Sequence, residues 1–266
     1  MTAPYPGVRR ALDLPLTFVA RCQLLLQRLG DGVFVSHRSA AELWRMHLTT
    51  PDLVDLSVVA PRRAPHAAGI RGHALRLRGS DVSRRSGLPV TSPVRTWLDL
   101  AASGASVDDL VVAGDRIVHA RDPLATLDDL ARAIERHHGR GIRSLHEALP
   151  LLSALSDSGR ETRVRTAVVS RGLPQPVAQH RVLDHAGQLI GVADLAFVDY
   201  RVLIEYEGDH HRTDGAQWSR DLHRFNRYQR AGWMAFRVDA GRFAEIAATL
   251  DLVEAALVGR GWPAVA

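Results

Sequence analysis

Hydrophobic and polar positions divide the chain into alternating helical and extended stretches. "PLTFVARCQLLLQRL" (15–29) and "SHRSAAELWRM" (36–46) read as helices, the second capped by Ser36 or Ser39 ahead of its apolar positions. "LVDLSVVAP" (53–61) and "IRGHALRLRG" (70–79) alternate or run apolar, carry β-branched residues and end in Pro or Gly, as strands do. After "GLPVTSPVRTWLDLAA", further helical patterns cover 107–120, 126–137 and 141–153. A new helix in "SDSGRETRVRTAVVSRGLPQP" stops at Gly172 and Pro174. Three short strands follow, "VAQHRVLD", "QLIGVADLAFV" and "RVLIEYEG", with "HAGQ" and "DY" at their turns, so a meander of antiparallel hairpins is predicted. A helix over 215–231, a strand in "WMAFRVDA" and a terminal helix over 241–258 complete the pattern.

Composition and punctuation place a boundary near residue 155. Residues 1–155 form a mixed helix and strand domain, and 156–266 form a second with the order α-β-β-β-α-β-α, an ordinary size for one core. The expected fold class is α/β in the α+β sense, a mixed sheet flanked by helices in the second domain.

Within "RVLIEYEGDHHR", period-two geometry puts Leu203, Glu205 and Glu207 on one face of a strand and Val202, Ile204 and Tyr206 on the other. If 189–197 and 201–208 form a hairpin, Asp194 comes within one strand spacing of Glu205. Like charges so close raise one another's pKa and weaken the pairing unless a cation sits among them. Mg²⁺ suits such a site, because it needs only one or two protein carboxylates beside waters and phosphate oxygens. Phosphodiester hydrolysis uses it directly. The competing reading is a solvated strand face, since alternating charge on a strand usually means that. His210 and His211 likewise read either as site residues or as ordinary loop histidines.

From Gly191 to Val238 the segment resembles the Vsr-like small nuclease family of the PD-(D/E)XK restriction-endonuclease superfamily. The resemblance rests on Asp194 in "VADLAF", on "EYEGDHH" with Glu205, Glu207, Gly208 and His211, and on "RDLHRFNRYQRAGW" with Asp221 and Arg224. It implies a restriction-endonuclease-like sheet, catalytic roles for Asp194, Glu205, Glu207 and His211, and a Mg²⁺ or Mn²⁺ site made by Asp194, Glu205 and Glu161. The superfamily lysine is absent, and Glu207 replaces the commoner aspartate. A transition-state cation would then be a metal, an arginine or a protonated histidine. Glu161 has a second explanation, because Ser158-Gly159-Arg160-Glu161 is an S-x-x-E capping box.

On the helix after the histidines, Gln217, Arg220, Arg224 and Arg227 recur at three- and four-residue steps, opposite Trp218, Leu222 and Phe225. With Arg212 they make a candidate nucleic-acid contact, or else a solvated helix face with Asp221 and an arginine as a structural pair.

"SHRSAAELW" and "LPVTSPVRTWLDLAA" resemble the body of actinobacterial proteins related to the AbiEi antitoxin of type IV toxin-antitoxin systems. The stretch ahead of "PLTFVARC" is shorter than the winged helix that precedes this body in such proteins. A toxin or other protein is therefore the partner that the resemblance implies for residues 1–155. His37, Trp44 and Asp99 are expected to pack and cap rather than catalyse.

Bulk composition sharpens this. The 266 residues are 46% hydrophobic and 24% charged, with formal charge +5. No lysine occurs, so all 34 basic residues are arginine, which excludes P-loop, Schiff-base and kinase chemistry. One cysteine, Cys22, excludes an intramolecular disulfide framework, and no long apolar run suggests a membrane span. A cytoplasmic protein is expected. The reading is a metal-dependent DNA endonuclease. The alternative is a catalytically inactive nucleic-acid-binding or antitoxin-type regulator that keeps the nuclease fold, and a protein-interaction module is weaker still.

Overall fold

The structure is a computed structural model that describes residues 2–5, 8–10, 16–156, 158–207, 215–239 and 246–263, with side chains at 16–156, 158–206, 223–238 and 246–263. It has an α+β fold in two compact units, Met1–Ala154 and Leu155–Ala266.

In the first unit, β1 (Thr2–Tyr5) and β2 (Val8–Arg10) form an antiparallel pair. Helix α1 (Phe18–Leu29) starts where the Thr17 hydroxyl accepts the Ala20 amide and ends at Gly30, whose φ of 77° only glycine adopts without strain. Then come β3 (Val33–Val35), α2 (His37–Leu43), β4 (Val54–Val59), β5 (Ile70–Leu75), β6 (Val82–Arg85) and β7 (Leu88–Thr91). Their sheet has the order β5-β4-β3-β7-β6, with β3–β7 and β4–β5 parallel and β3–β4 and β6–β7 antiparallel. Helices α3 (Pro93–Ala102), α4 (Val107–Val118), α5 (Leu127–Glu135) and α6 (Ile142–Ala148) follow. Ser92, Ser106 and Thr126 each accept an amide from the first turn of the helix they precede, which places the three helix starts. One core joins the sheet to these helices around Leu25, Leu56, Trp97, Leu100 and Leu110. Cys22 lies in it, and burial pushes its thiol up to about 12. Ser36 is the N-cap of α2, but its hydroxyl turns to His37 and Ser57 and bonds no helix amide.

The second unit begins with α7 (Gly159–Ser170), capped by Ser158. β8 (Val177–Leu183), β9 (Leu189–Phe197) and β10 (Val202–Glu207) form the expected antiparallel meander. Helix α8 (Gly215–Arg230) then crosses over to β11 (Met234–Asp239), which lies parallel to β10, and α9 (Ile246–Gly259) closes the unit. The sheet order is β11-β10-β9-β8. Both faces of this sheet are covered. Leu195, Phe197, Val202 and Ile204 pack with Val164 and Val168 of α7 and Leu250 and Val253 of α9. Ala196 and Leu203 pack on the other side with Tyr228 of α8 and Trp233. The alternation expected along β10 therefore holds. Among the described residues no helix is long and apolar enough to cross a membrane.

Candidate active site in the C-terminal unit

Regular pairing of β9 with β10 runs through Phe197–Val202, Ala196–Leu203 and Leu195–Ile204. The next pair would set Asp194 opposite Glu205. Instead the Asp194 Oδ2 accepts the Tyr206 amide at 2.7 Å, so a side chain takes the ladder bond that a backbone carbonyl would have taken. Ala193 packs on the α8 side and Leu195 on the α7–α9 side, although residues two apart normally share a face. The strand twists at Asp194, and its carboxylate lies between the two strands.

The facing residue of β8 shows the same irregularity. Between the pairs Ala178–Leu195 and His180–Ala193, Gln179 adopts φ 51°, a left-handed conformation that costs a non-glycine residue energy. Its Nε2 donates to Asp194 Oδ1 and to Glu161 Oε2, each at 3.3 Å. One amide nitrogen thus bridges a carboxylate of the sheet and a carboxylate of α7. Glu161 is at the same time part of the helix start: its amide donates to Ser158 Oγ at 3.2 Å and the Ser158 hydroxyl donates to Oε1 at 2.9 Å. Glu161 thus completes the helix cap and also accepts from Gln179.

Glu205 points to α8. It is only 5% exposed, and Oε1 accepts the Tyr228 hydroxyl at 2.8 Å while Oε2 accepts Arg224 Nη2 at 3.0 Å. Arg224 and Tyr228, four residues apart, share a helix face. Burial raises the Glu205 carboxyl above the ordinary range; Arg224 and the Tyr228 bond pull it back, and the charge of Asp194 adds to the rise. Burial and then Glu205 raise the Tyr228 hydroxyl. Close approach of α8 depends on Gly191, where an added Cβ would sit 2.5 Å from Tyr228 Oη and 3.0 Å from Arg224 Cδ.

The site residues read from the sequence therefore separate into groups. Asp194 and Glu161 meet through Gln179, whereas Glu205 turns to α8 and bonds Arg224 and Tyr228, so the three expected metal ligands are not gathered at one point. Arg224 is engaged with Glu205, and Arg227 reaches Asp184 at 3.5 Å and the Leu189 carbonyl at 3.2 Å, so both make internal contacts as well as meeting solvent. His211 and Arg212, with Gly208 and His210, lie outside the described residues, as do the side chains of Glu207, Gln217, Trp218, Arg220, Asp221 and Leu222. Three participants were not singled out by the sequence: Gln179, Tyr228 and Arg160. Arg160 donates to the hydroxyl of Tyr206 at 2.8 Å, the same residue whose amide Asp194 holds. Nothing in the sequence pattern marks Gln179 or Tyr228.

Among the described residues no group of three or more His, Cys, Asp or Glu side chains could hold a metal ion. Asp194 and Glu161 are the two carboxylates brought nearest a shared partner, Gln179 Nε2, and both oxygens of each have a hydrogen-bond partner: Ser158 and Gln179 for Glu161, Gln179 and the Tyr206 amide for Asp194. Glu205 likewise has both oxygens engaged, by Arg224 and Tyr228 of α8.

Two relatives, uncharacterized protein MT2308 of Mycobacterium tuberculosis strain CDC 1551 / Oshkosh and uncharacterized protein Rv2248 of strain ATCC 25618 / H37Rv, are each 28% identical to this chain over 167 residues. The match covers 58% of this chain and 56% of theirs, so the chain spans about half the length of the relatives it matches. No family model matches the chain. No solved structure matches it either.

Proposed function

We propose that the C-terminal unit is a metal-dependent nuclease that hydrolyses DNA phosphodiester bonds, related to the Vsr-like branch of the PD-(D/E)XK superfamily. The observation that carries this reading is the bridge from Asp194 through Gln179 to Glu161. Carboxylates crowded at an irregular point of a sheet are costly for stability alone and useful for holding a cation. Asp194 and Glu161 would hold Mg²⁺ or Mn²⁺, which when bound lowers the pKa of a water and neutralises charge on the leaving oxygen. Arg160, on the first turn of α7, offers a guanidinium to a phosphate oxygen, and the tilt of α8 is fixed by Glu205 through Arg224 and Tyr228. Glu207 and His211 are assigned to positioning the attacking water and moving its proton, and Arg212 and Arg220 to the DNA backbone.

One feature favours the second reading, a non-catalytic nucleic-acid-binding or antitoxin-type regulator: Arg224 and Tyr228 satisfy both oxygens of Glu205 inside the fold. The full chain, incubated with supercoiled and single-stranded DNA and Mg²⁺ or Mn²⁺, separates the two. A nuclease cuts only with metal, loses cutting in Asp194→Ala and Glu161→Ala, and slows by about tenfold in Gln179→Ala, as removal of an outer partner does. DNA binding without cutting, unchanged by these substitutions, establishes the regulator.

A further inference from the structure

We propose that the N-terminal unit carries a second site, centred on His37 and His73, that binds the terminal phosphate of a small phosphorylated ligand. It is independent of the acidic site, and its residues come from one end of the five-stranded sheet. Ser36 follows β3, Asp55 and Ser57 lie on β4, Arg71 and His73 on β5, and Arg95 on the first turn of α3.

Two imidazoles are stacked there with ring centroids 3.8 Å apart and planes 19° from parallel. Each is fixed through one nitrogen. The Ser36 hydroxyl, itself 2.6 Å from Ser57 Oγ, lies 2.8 Å from His37 Nδ1. His73 Nε2 lies 3.0 Å from Oδ1 of the buried Asp55, whose amide donates to Ser39 Oγ. A carboxylate acceptor selects the tautomer with its proton on Nε2 and leaves Nδ1 a bare acceptor while the ring is neutral. The remaining nitrogens, His37 Nε2 and His73 Nδ1, make no hydrogen bond among the described residues. Residue 37 holds this position at a backbone φ of 50°, a conformation that strains any residue with a Cβ.

Charge selects the ligand. The groups that face His37 are Asp55 of β4, Arg71 and His73 of β5, and Arg95 of α3. Burial and the cationic neighbours outweigh Asp55 and hold the ring neutral, pulled down to about 4. Apart from Asp55, the charged neighbours of this ring are cationic or can become so, and one of its nitrogens has hydrogen-bonding capacity to spare. Arg71 is 58% exposed, approaches Asp55 only at 3.8 Å, and makes no hydrogen bond among the described residues. With Nδ1 accepting the Ser36 hydroxyl, His37 Nε2 carries the proton, and an oxyanion drawn to the Arg71 guanidinium that also reached this N–H would meet two donors. Because His37 is just 7% exposed, a terminal phosphate with free oxygens fits better than a backbone diester, both of whose ester arms must continue into solvent.

Linkage gives the site a pH signature: an anion that stabilises the His37 imidazolium binds more tightly as pH falls. The test follows the Cε1–Hε1 NMR signals of the full chain during titration with inorganic phosphate and with sulfate, which keeps its charge across the range. An oligonucleotide without a terminal phosphate forms the third arm. We expect saturable shifts of His37 and His73 with both ions, sulfate affinity about tenfold tighter at pH 5 than at pH 8, and about tenfold weaker binding in Arg71→Ala. His37→Asn, which tolerates the left-handed backbone, should abolish the pH dependence. Equal affinity in both variants, pH-independent sulfate binding, or equal shifts with the oligonucleotide would each overturn the assignment. DNA cleavage by Asp194 variants reads out the other unit, so the two proposals fail separately.

Discussion

His37 and Asp99 both interact with Arg95, yet they respond to pH in opposite senses. Burial raises the Asp99 carboxyl to about 6 despite its bond to Arg95, and burial lowers His37 to about 4. For Asp99 the native state keeps its proton longer than the unfolded chain, so its stability contribution is full at low pH and disappears as pH rises through about 6. For His37 the contribution is full above the ordinary histidine range and disappears as pH falls through about 4. Between pH 4 and 6 the two slopes oppose. Urea unfolding over this range should show stability falling more steeply with pH in His37→Asn than in the wild type, and rising more steeply in Asp99→Asn. Each change amounts to roughly 3 kcal/mol across its window. Sequence alone marked both residues as packing and capping positions, because neither burial nor neighbours from other elements can be read from "SHRSAAELW" or "TWLDLAA". Glu205 is the converse case. Its face was legible from period two, while its partners Tyr228 and Arg224 depend on where α8 lands.

At the scale of elements, the second unit follows local pattern closely. β8, β9 and β10 turn at "HAGQ" and "DY" as predicted, and α7 starts where Ser158 caps it. What local pattern missed is the irregularity at Gln179 and Asp194, since a left-handed glutamine and a side chain substituting for a ladder bond have no sequence signature. It also missed β3 and the β6–β7 hairpin, which are too short to establish a period. The packing of α8 on β9 passes through Gly191. Gly191→Ala would drive a methyl group against the buried Tyr228 hydroxyl, and since that ring cannot withdraw, the helix must shift or the bond to Glu205 must break. The expected cost is about 1–3 kcal/mol in urea unfolding, typical of overpacking.

At the scale of the molecule, each unit draws its core from its own residues. Trp97 is fully buried in the first, with its indole N–H on the Leu110 carbonyl at 2.8 Å. Trp97→Ala should destabilise that unit by roughly 3–5 kcal/mol. Amide exchange measured on the intact chain should accelerate in residues 16–154 and remain at wild-type rates in 158–263. A change in both regions would show that the two cores unfold as one.

By itself, the sequence determined the α+β class, the order of most elements and the face of β10 that carries Glu205, because periodicity, caps and turn residues act within a few positions of the chain. Tertiary structure alone decided that Gln179 joins Asp194 to Glu161, that α8 takes Glu205, and that His37 stacks on His73. Those contacts join residues 15 to 36 positions apart. They depend on strand order and helix placement, which the buried surface of the whole unit selects.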